Sequence, residues 1–171
     1  MNPFKAYQIP FLGLKTGFHD FEFEMDNAFF AAFEHSEIQK GDLKAYVKLE
    51  KQSTMLVLDF EVEGVVEGVC DRCGDPVEVE VEHTDRLIVK YGDATELTDD
   101  EILVVGPSEH LLDLHQYLYE YAHLGLPTKV EHDDESECNQ KALEILRDLK
   151  IDDRDEDDDV DPRWEALKKL K

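Results

Sequence analysis

Apolar and polar residues alternate along the middle of the chain over three long runs. Leu43, Ala45, Val47 and Leu49 alternate with Lys44, Tyr46, Lys48 and Glu50. After a short break, Leu56, Leu58, Phe60 and Val62 alternate with Val57, Asp59 and Glu61, and Val65, Val66 and Val69 follow. Further on, Val77, Val79 and Val81 alternate with Glu78, Glu80 and Glu82, and Leu87–Tyr91 extends the run. Period two sends successive side chains to opposite faces of a strand. Three such runs joined by short connections predict an antiparallel meander with one dry and one wet face. The glutamates at 78, 80 and 82 then belong to the solvated side.

Weaker signals flank this sheet. Phe21, Phe23 and Met25 alternate with Glu22 and Glu24, which predicts another strand. Asp26 and Asn27 suit the N-cap of a short helix over Ala28–Phe33, where Phe29, Phe30 and Phe33 share a face. Residues 1–17 mix Pro and Gly with Phe4, Ile9, Phe11, Leu12 and Leu14, and read as an irregular arm or short strand docked on the core. Residues 92–101 read as a loop and Ile102–Val105 as a short apolar strand. Asp113 is expected to cap a helix with Leu114, Leu118, Tyr121 and Leu124 on one stripe, stopped by Gly125 and Pro127. Asn139 is expected to cap another, through about Lys150, with Leu143, Leu146 and Leu149 on one side.

The fold class predicted is α+β: an antiparallel sheet or partly closed barrel with two to three flanking helices, in a single domain over residues 1–150. Residues 151–161 contain DDRDEDDDVD, a block of like charge that cannot offset its own ordering entropy and reads as a flexible linker. Residues 162–171 change character. Asp161 suits an N-cap, Pro162 the first turn, and Trp164, Leu167 and Leu170 fall at i, i+3 and i+6. Lys168, Lys169 and Lys171 sit where cations meet the negative end of a helix dipole. This short amphipathic helix is a candidate partner-binding element or a docked tail.

Charge narrows the function. The chain has 42 Asp and Glu against 18 Lys and Arg, a formal net charge of -24. Such a field repels phosphate backbones, so direct high-affinity nucleic-acid binding is not expected. Basic partners are favoured instead. The N-terminus carries no basic segment followed by an apolar core, and no apolar run approaches the roughly 18 residues of a membrane span. A cytoplasmic protein with no membrane contact is expected. Neither a G-x-S-x-G, a P-loop, a G-x-G-x-x-G after a strand nor an H-E-x-x-H is present, so the expectation is a protein that is not an enzyme.

The concentrated chemistry is at the cysteines. Three is an odd number, which suits a metal site in a reducing compartment better than a secreted disulfide framework. Cys70-Asp71-Arg72-Cys73-Gly74 forms a zinc-knuckle-like CxxCG turn between two strand runs. Two intervening residues let both thiolates reach one tetrahedral metal, and Gly74 permits the positive φ that turns backbone amides toward the sulfurs. A thioredoxin-like pair would instead begin a helix, whose N-terminus depresses the thiol pKa. Here Pro76 and the valine run follow, although Arg72 could still lower a thiol pKa. A structural zinc needs four ligands. Cys138 is the remaining thiol and His132 lies six residues before it, so Cys70, Cys73, His132 and Cys138 are the candidate set. The plain alternative makes Cys138 a buried small hydrophobe and His132 a surface residue. His19, His35, His83 and His110 show no ligand spacing. His115 and His123 lie about two helical turns apart, too far for one metal.

Four stretches occur in a distinctive order: CDRCG after a valine-rich strand, LLDLHQYLYEYAHLGLP, EHDDESEC and a terminal DPRWEALKKLK. Over roughly residues 40–171 this order resembles the bacterial YceD family, described as the large ribosomal RNA subunit accumulation protein. The resemblance implies a cytoplasmic factor supporting synthesis, processing or stability of large-subunit ribosomal RNA. It maps the family's knuckle onto Cys70 and Cys73, its Leu-Pro helix onto Leu114–Pro127, and its His- and Cys-bearing loop onto His132 and Cys138. Relatives carry further cysteines after the Leu-Pro, where this chain keeps Cys138. The reading reached is a non-enzymatic accessory factor that binds a basic ribosomal protein or pre-ribosomal particle. The alternatives are an acidic, nucleic-acid-mimicking regulator of a ribonuclease and a thiol oxidoreductase using Cys70 and Cys73.

Overall fold

The computed structural model describes residues 3–93, 95–99 and 102–149. The acidic linker and the terminal stripe of Trp164, Leu167 and Leu170 lie outside the described residues. The three alternating runs form β3 (Gly41–Lys51), β4 (Met55–Val69) and β5 (Pro76–Tyr91). Each pairs antiparallel with the next, and β2 (Gly17–Met25) adds to the free side of β3. The period-two reading holds residue by residue. Leu43, Ala45, Val47 and Leu49 are buried, as are Leu56, Leu58, Phe60 and Val62, with Val79, Val81, Leu87 and Val89 from β5.

Strand order departs from the meander at one side. Residues 92–101 are not all loop, for β6 (Glu96–Asp99) lies within them. It pairs antiparallel with β7 (Ile102–Val105), and β7 inserts parallel to β5, giving the order β2-β3-β4-β5-β7-β6. Among the described residues the result is an open, mixed six-stranded sheet, not a barrel. A second, two-stranded sheet pairs β1 (Gln8–Ile9) with β8 (Leu112–Asp113), which ties the N-terminal arm to the later part of the chain. Lys51 holds the same arm, its ammonium donating to the carbonyl oxygens of Phe11, Leu12 and Leu14 at 2.8, 3.3 and 3.0 Å.

Helices cover the dry face. Asp26 caps α1 (Asn27–Ala31), its carboxylate accepting from the Ala28 and Phe29 amides. Phe29 and Phe30 drop into the core, while Phe33 follows the helix and stacks on Tyr119. α2 (His115–Leu124) packs on β5 and β4. Its N-cap is Leu114; the expected cap, Asp113, ends β8 and accepts from the His115 amide at 3.3 Å. Leu114, Leu118 and Tyr121 form the buried stripe, but Leu124 is 63% exposed because the line of that stripe runs on to Gly125, which packs against Val81 and His83, and leaves Leu124 to one side. Leu118 is fully buried beneath α2. Leu118→Ala is expected to lower unfolding stability by about 2–5 kcal/mol, read as a lower urea midpoint at unchanged slope.

Gly64 lies on the buried side of β4, opposite Leu43, with φ of 147°. A Cβ there would meet the Asp42 carbonyl oxygen at 2.3 Å and the Leu43 Cα at 2.8 Å. Only glycine allows β3 and β4 to approach this closely.

Candidate metal centre

The turn between β4 and β5 is built by its own backbone. Val69 pairs with Pro76, the Cys70 amide donates to the Asp75 carbonyl at 2.9 Å, and the Gly74 amide donates to the Cys70 carbonyl at 2.8 Å. Gly74 takes φ of 81°, the left-handed conformation that closes the turn. Cys70 and Cys73 thereby project from one knuckle.

The other half comes from the chain after α2. The Asp71 amide donates to the Val130 carbonyl at 2.7 Å, and the Val130 amide returns a bond to the Asp71 carboxylate at 2.8 Å. Next to this, Arg72 donates to Glu131 at 2.9 Å. His132 follows, and Asp134 caps a single 3-10 turn (Glu135–Glu137) that ends at Cys138. Asn139 then caps α3 (Gln140–Leu149), its amide oxygen accepting from the Lys141 and Ala142 amides.

These two segments bring all four candidate ligands together. One ligand atom from each of Cys70, Cys73, His132 and Cys138 lies within 4.8 Å of every other. His132 Nδ1 is 3.7 Å from the Cys73 sulfur and 3.6 Å from the Cys138 sulfur. A tetrahedral zinc with ordinary Zn–S and Zn–N bonds sets its sulfur and nitrogen ligands about 3.6 Å apart, so the donor set fits that ion in chemistry and both His132–sulfur distances fit it in spacing. Cys70 and Cys138 are buried, and none of the three cysteines is in a disulfide.

Electrostatics point the same way. Burial pushes the Cys70 thiol up, but the backbone amides of His132, Arg72 and Cys73 aim at its sulfur and bring it to about 6. Burial, with the neighbouring thiols of Cys73 and Cys70, pushes Cys138 to about 11. A divalent cation bound here would favour the thiolate form of its cysteine ligands. Arg72 contributes on the outside: its guanidinium donates to the Cys138 sulfur at 3.6 Å while it pairs with Glu131.

The sequence alone places Arg72 beside the thiols and gives no role to Asp71 or Glu131. The one signal for Glu131 was its charge, opposite to that of Arg72 beside the other ligand positions; Asp71 bonds the Val130 backbone amide and carried no such signal. Of the remaining histidines, His115 pairs with Asp113, and the His123 Nδ1–H donates to the Tyr119 carbonyl at 2.8 Å. The redox reading finds no helix starting at Cys70, since β5 follows the knuckle directly.

Comparison with known families adds a separate line. The profile described as "Large ribosomal RNA subunit accumulation protein YceD" matches residues 58–171, two-thirds of the chain. The chain belongs to the YceD family. The match begins within β4 and takes in the knuckle, α2, the loop with His132 and Cys138, and α3, so the Cys/His cluster lies wholly inside the YceD region. The family's description connects it with accumulation of the large ribosomal RNA subunit. No curated protein and no solved structure matches the chain. No helix among the described residues is long and apolar enough to cross a membrane.

Proposed function

We propose that this YceD protein is a non-enzymatic, cytoplasmic accessory factor for large-subunit ribosomal RNA, acting by holding a basic ribosomal protein or a pre-ribosomal particle that displays one. The observation that carries this is the uneven charge of the wet sheet face. At one end the charges alternate: Lys48 lies between Asp20 and Asp59, and Arg86 pairs with Asp59 at 2.6 Å. At the other end Glu63 lies opposite Glu82 and Glu67 opposite Glu78, with Glu61 and Glu80 exposed beside them. Lys40 and Lys44 offset only part of this.

Like charges directly opposite each other destabilise a sheet. A face shaped for stability alone would alternate charge throughout, as its other end does. Concentrated negative potential makes sense where a cationic partner docks, and it would steer that partner over distances set by the screening length. The metal centre serves as a structural staple for the loop and α3, a role consistent with its burial.

The test is co-sedimentation of the full chain with pre-ribosomal particles across a salt series. Association should hold at low salt, weaken steeply above physiological strength, and fall in a Glu63→Gln/Glu80→Gln/Glu82→Gln variant that folds normally. Absence of association at every salt concentration would sink the reading. If the protein instead inhibited a purified processing ribonuclease, the nucleic-acid-mimic alternative would take its place.

A further inference from the structure

α3 is far more amphipathic than its packing requires. At 100° per residue, Ile145, Leu149, Ala142, Leu146 and Leu143 fall in one arc of about 160°. One edge of that arc is used: Leu143 is buried against Cys70 and Cys138. Ile145, Leu146 and Leu149 are 59%, 46% and 70% exposed. Three large aliphatic side chains on one exposed stripe form a contiguous patch of the kind that marks an interaction site.

Charge selects the occupant. Within α3, Lys141 and Arg147 balance Glu144 and Asp148. Just before it, Asp133, Asp134 and Glu137 are exposed, and in sequence just after it, residues 152–159 carry seven acids and one arginine. An apolar stripe between two acidic stretches complements a segment with an apolar stripe of its own and lysine or arginine beside it. A second copy of this chain is a poor fit, because its acidic stretches would meet the same ones here.

We infer that the exposed Ile145/Leu146/Leu149 face of α3 docks a basic amphipathic segment of the partner, presented in place by the Cys/His cluster that anchors Leu143. This rests on the basic-partner reading and adds the apolar contact that long-range charge cannot supply. It also separates two roles: the sheet face attracts, and α3 discriminates between a striped basic segment and an unpatterned one.

The probe is a labelled synthetic lysine–leucine peptide with its leucines at helical spacing, compared with a scrambled peptide of the same composition. Both are titrated by fluorescence anisotropy against the full chain. The principal variant is Ile145→Gln/Leu149→Gln, because glutamine keeps helix propensity, and Leu146→Gln alone guards against a misfolded double variant. The expected result is a preference for the striped peptide that falls roughly tenfold or more in the double variant and less in Leu146→Gln, with unchanged circular dichroism. Equal binding of the striped peptide by wild type and both α3 variants, with loss in the Glu63→Gln/Glu80→Gln/Glu82→Gln variant, would overturn the α3 site and leave the basic-partner reading standing. No binding of either peptide at low salt would remove both. Protection of residues 145–149 from hydrogen exchange in the free chain, abolished by Trp164→Ala, would overturn it in favour of the chain's own terminal segment as occupant.

Discussion

Cys70→Ser and Cys138→Ser should each abolish zinc binding and free the segment from Glu131 to Leu149, while the sheet remains folded. Protein purified without an affinity metal should carry about one equivalent of zinc, and either variant almost none. The reason lies in how little else holds this segment. Leu143 is the one buried residue of α3 and packs only within the cysteine cluster. Further ties are Asp71–Val130, Arg72–Glu131, Arg72–Cys138 and the 3.3 Å contact from Asn139 to Asp75. Structural zinc contributes on the order of 10 kcal/mol to small domains that fold only with metal. Here the main core of β3, β4, β5 and α2 meets the cysteine cluster at the partly buried Val77 but shares no buried residue with it, so the loss is local. Limited proteolysis should show new cleavage between residues 131 and 149 in the variants and in chelator-treated wild type, with the β-sheet circular dichroism signal retained. Metal-free wild type that resists cleavage there as well as untreated protein would show that hydrogen bonds alone set the loop, and the staple role would be abandoned.

Gly64→Val should be the most damaging single change in the sheet. The added Cβ would sit 2.3 Å from the Asp42 carbonyl oxygen, a backbone atom that cannot move aside without breaking the β3–β4 ladder. The residue would also need φ near 147°, which side chains other than glycine's rarely adopt. Steric conflict and backbone strain add, so a loss of about 4 kcal/mol or more, or failure to accumulate folded protein, is expected. Gly13→Ala makes the control. Nothing lies within 4 Å of a Cβ at that position, and its effect should stay within about 0.5 kcal/mol. Equal denaturation midpoints for the two variants would mean that β3 and β4 can separate locally at little cost.

Several features were legible in the sequence because they are local. Burial of Leu43, Ala45, Val47 and Leu49 follows from period two, since a strand has only two faces and one meets the core. The Asp26 and Asn139 caps were readable for the same reason: each bonds amides two or three residues ahead. The CxxCG turn carried its own chemistry and closes on itself through Gly74. Stripe predictions did less well. Leu124, Leu146 and Leu149 have helical spacing yet stay exposed, because spacing shows which side chains share a face but not whether anything covers it.

By itself, then, the sequence determined the meander of β3, β4 and β5, the knuckle between two of its strands, the acidic character of the chain, and the family. Tertiary structure alone decided the rest. The insertion of β7 beside β5, parallel to it and ahead of β6, depends on which strand edge is free when the chain returns, a fact no local pattern encodes. The candidate metal site depends on closing a loop of some sixty residues so that His132 and Cys138 meet Cys70 and Cys73. That closure is made by α2 seated on the sheet and by Val130 bonded to Asp71. Donor spacing near 3.6 Å is a property of the assembled core, because only packing brings residues distant in sequence to within bonding reach of a single ion.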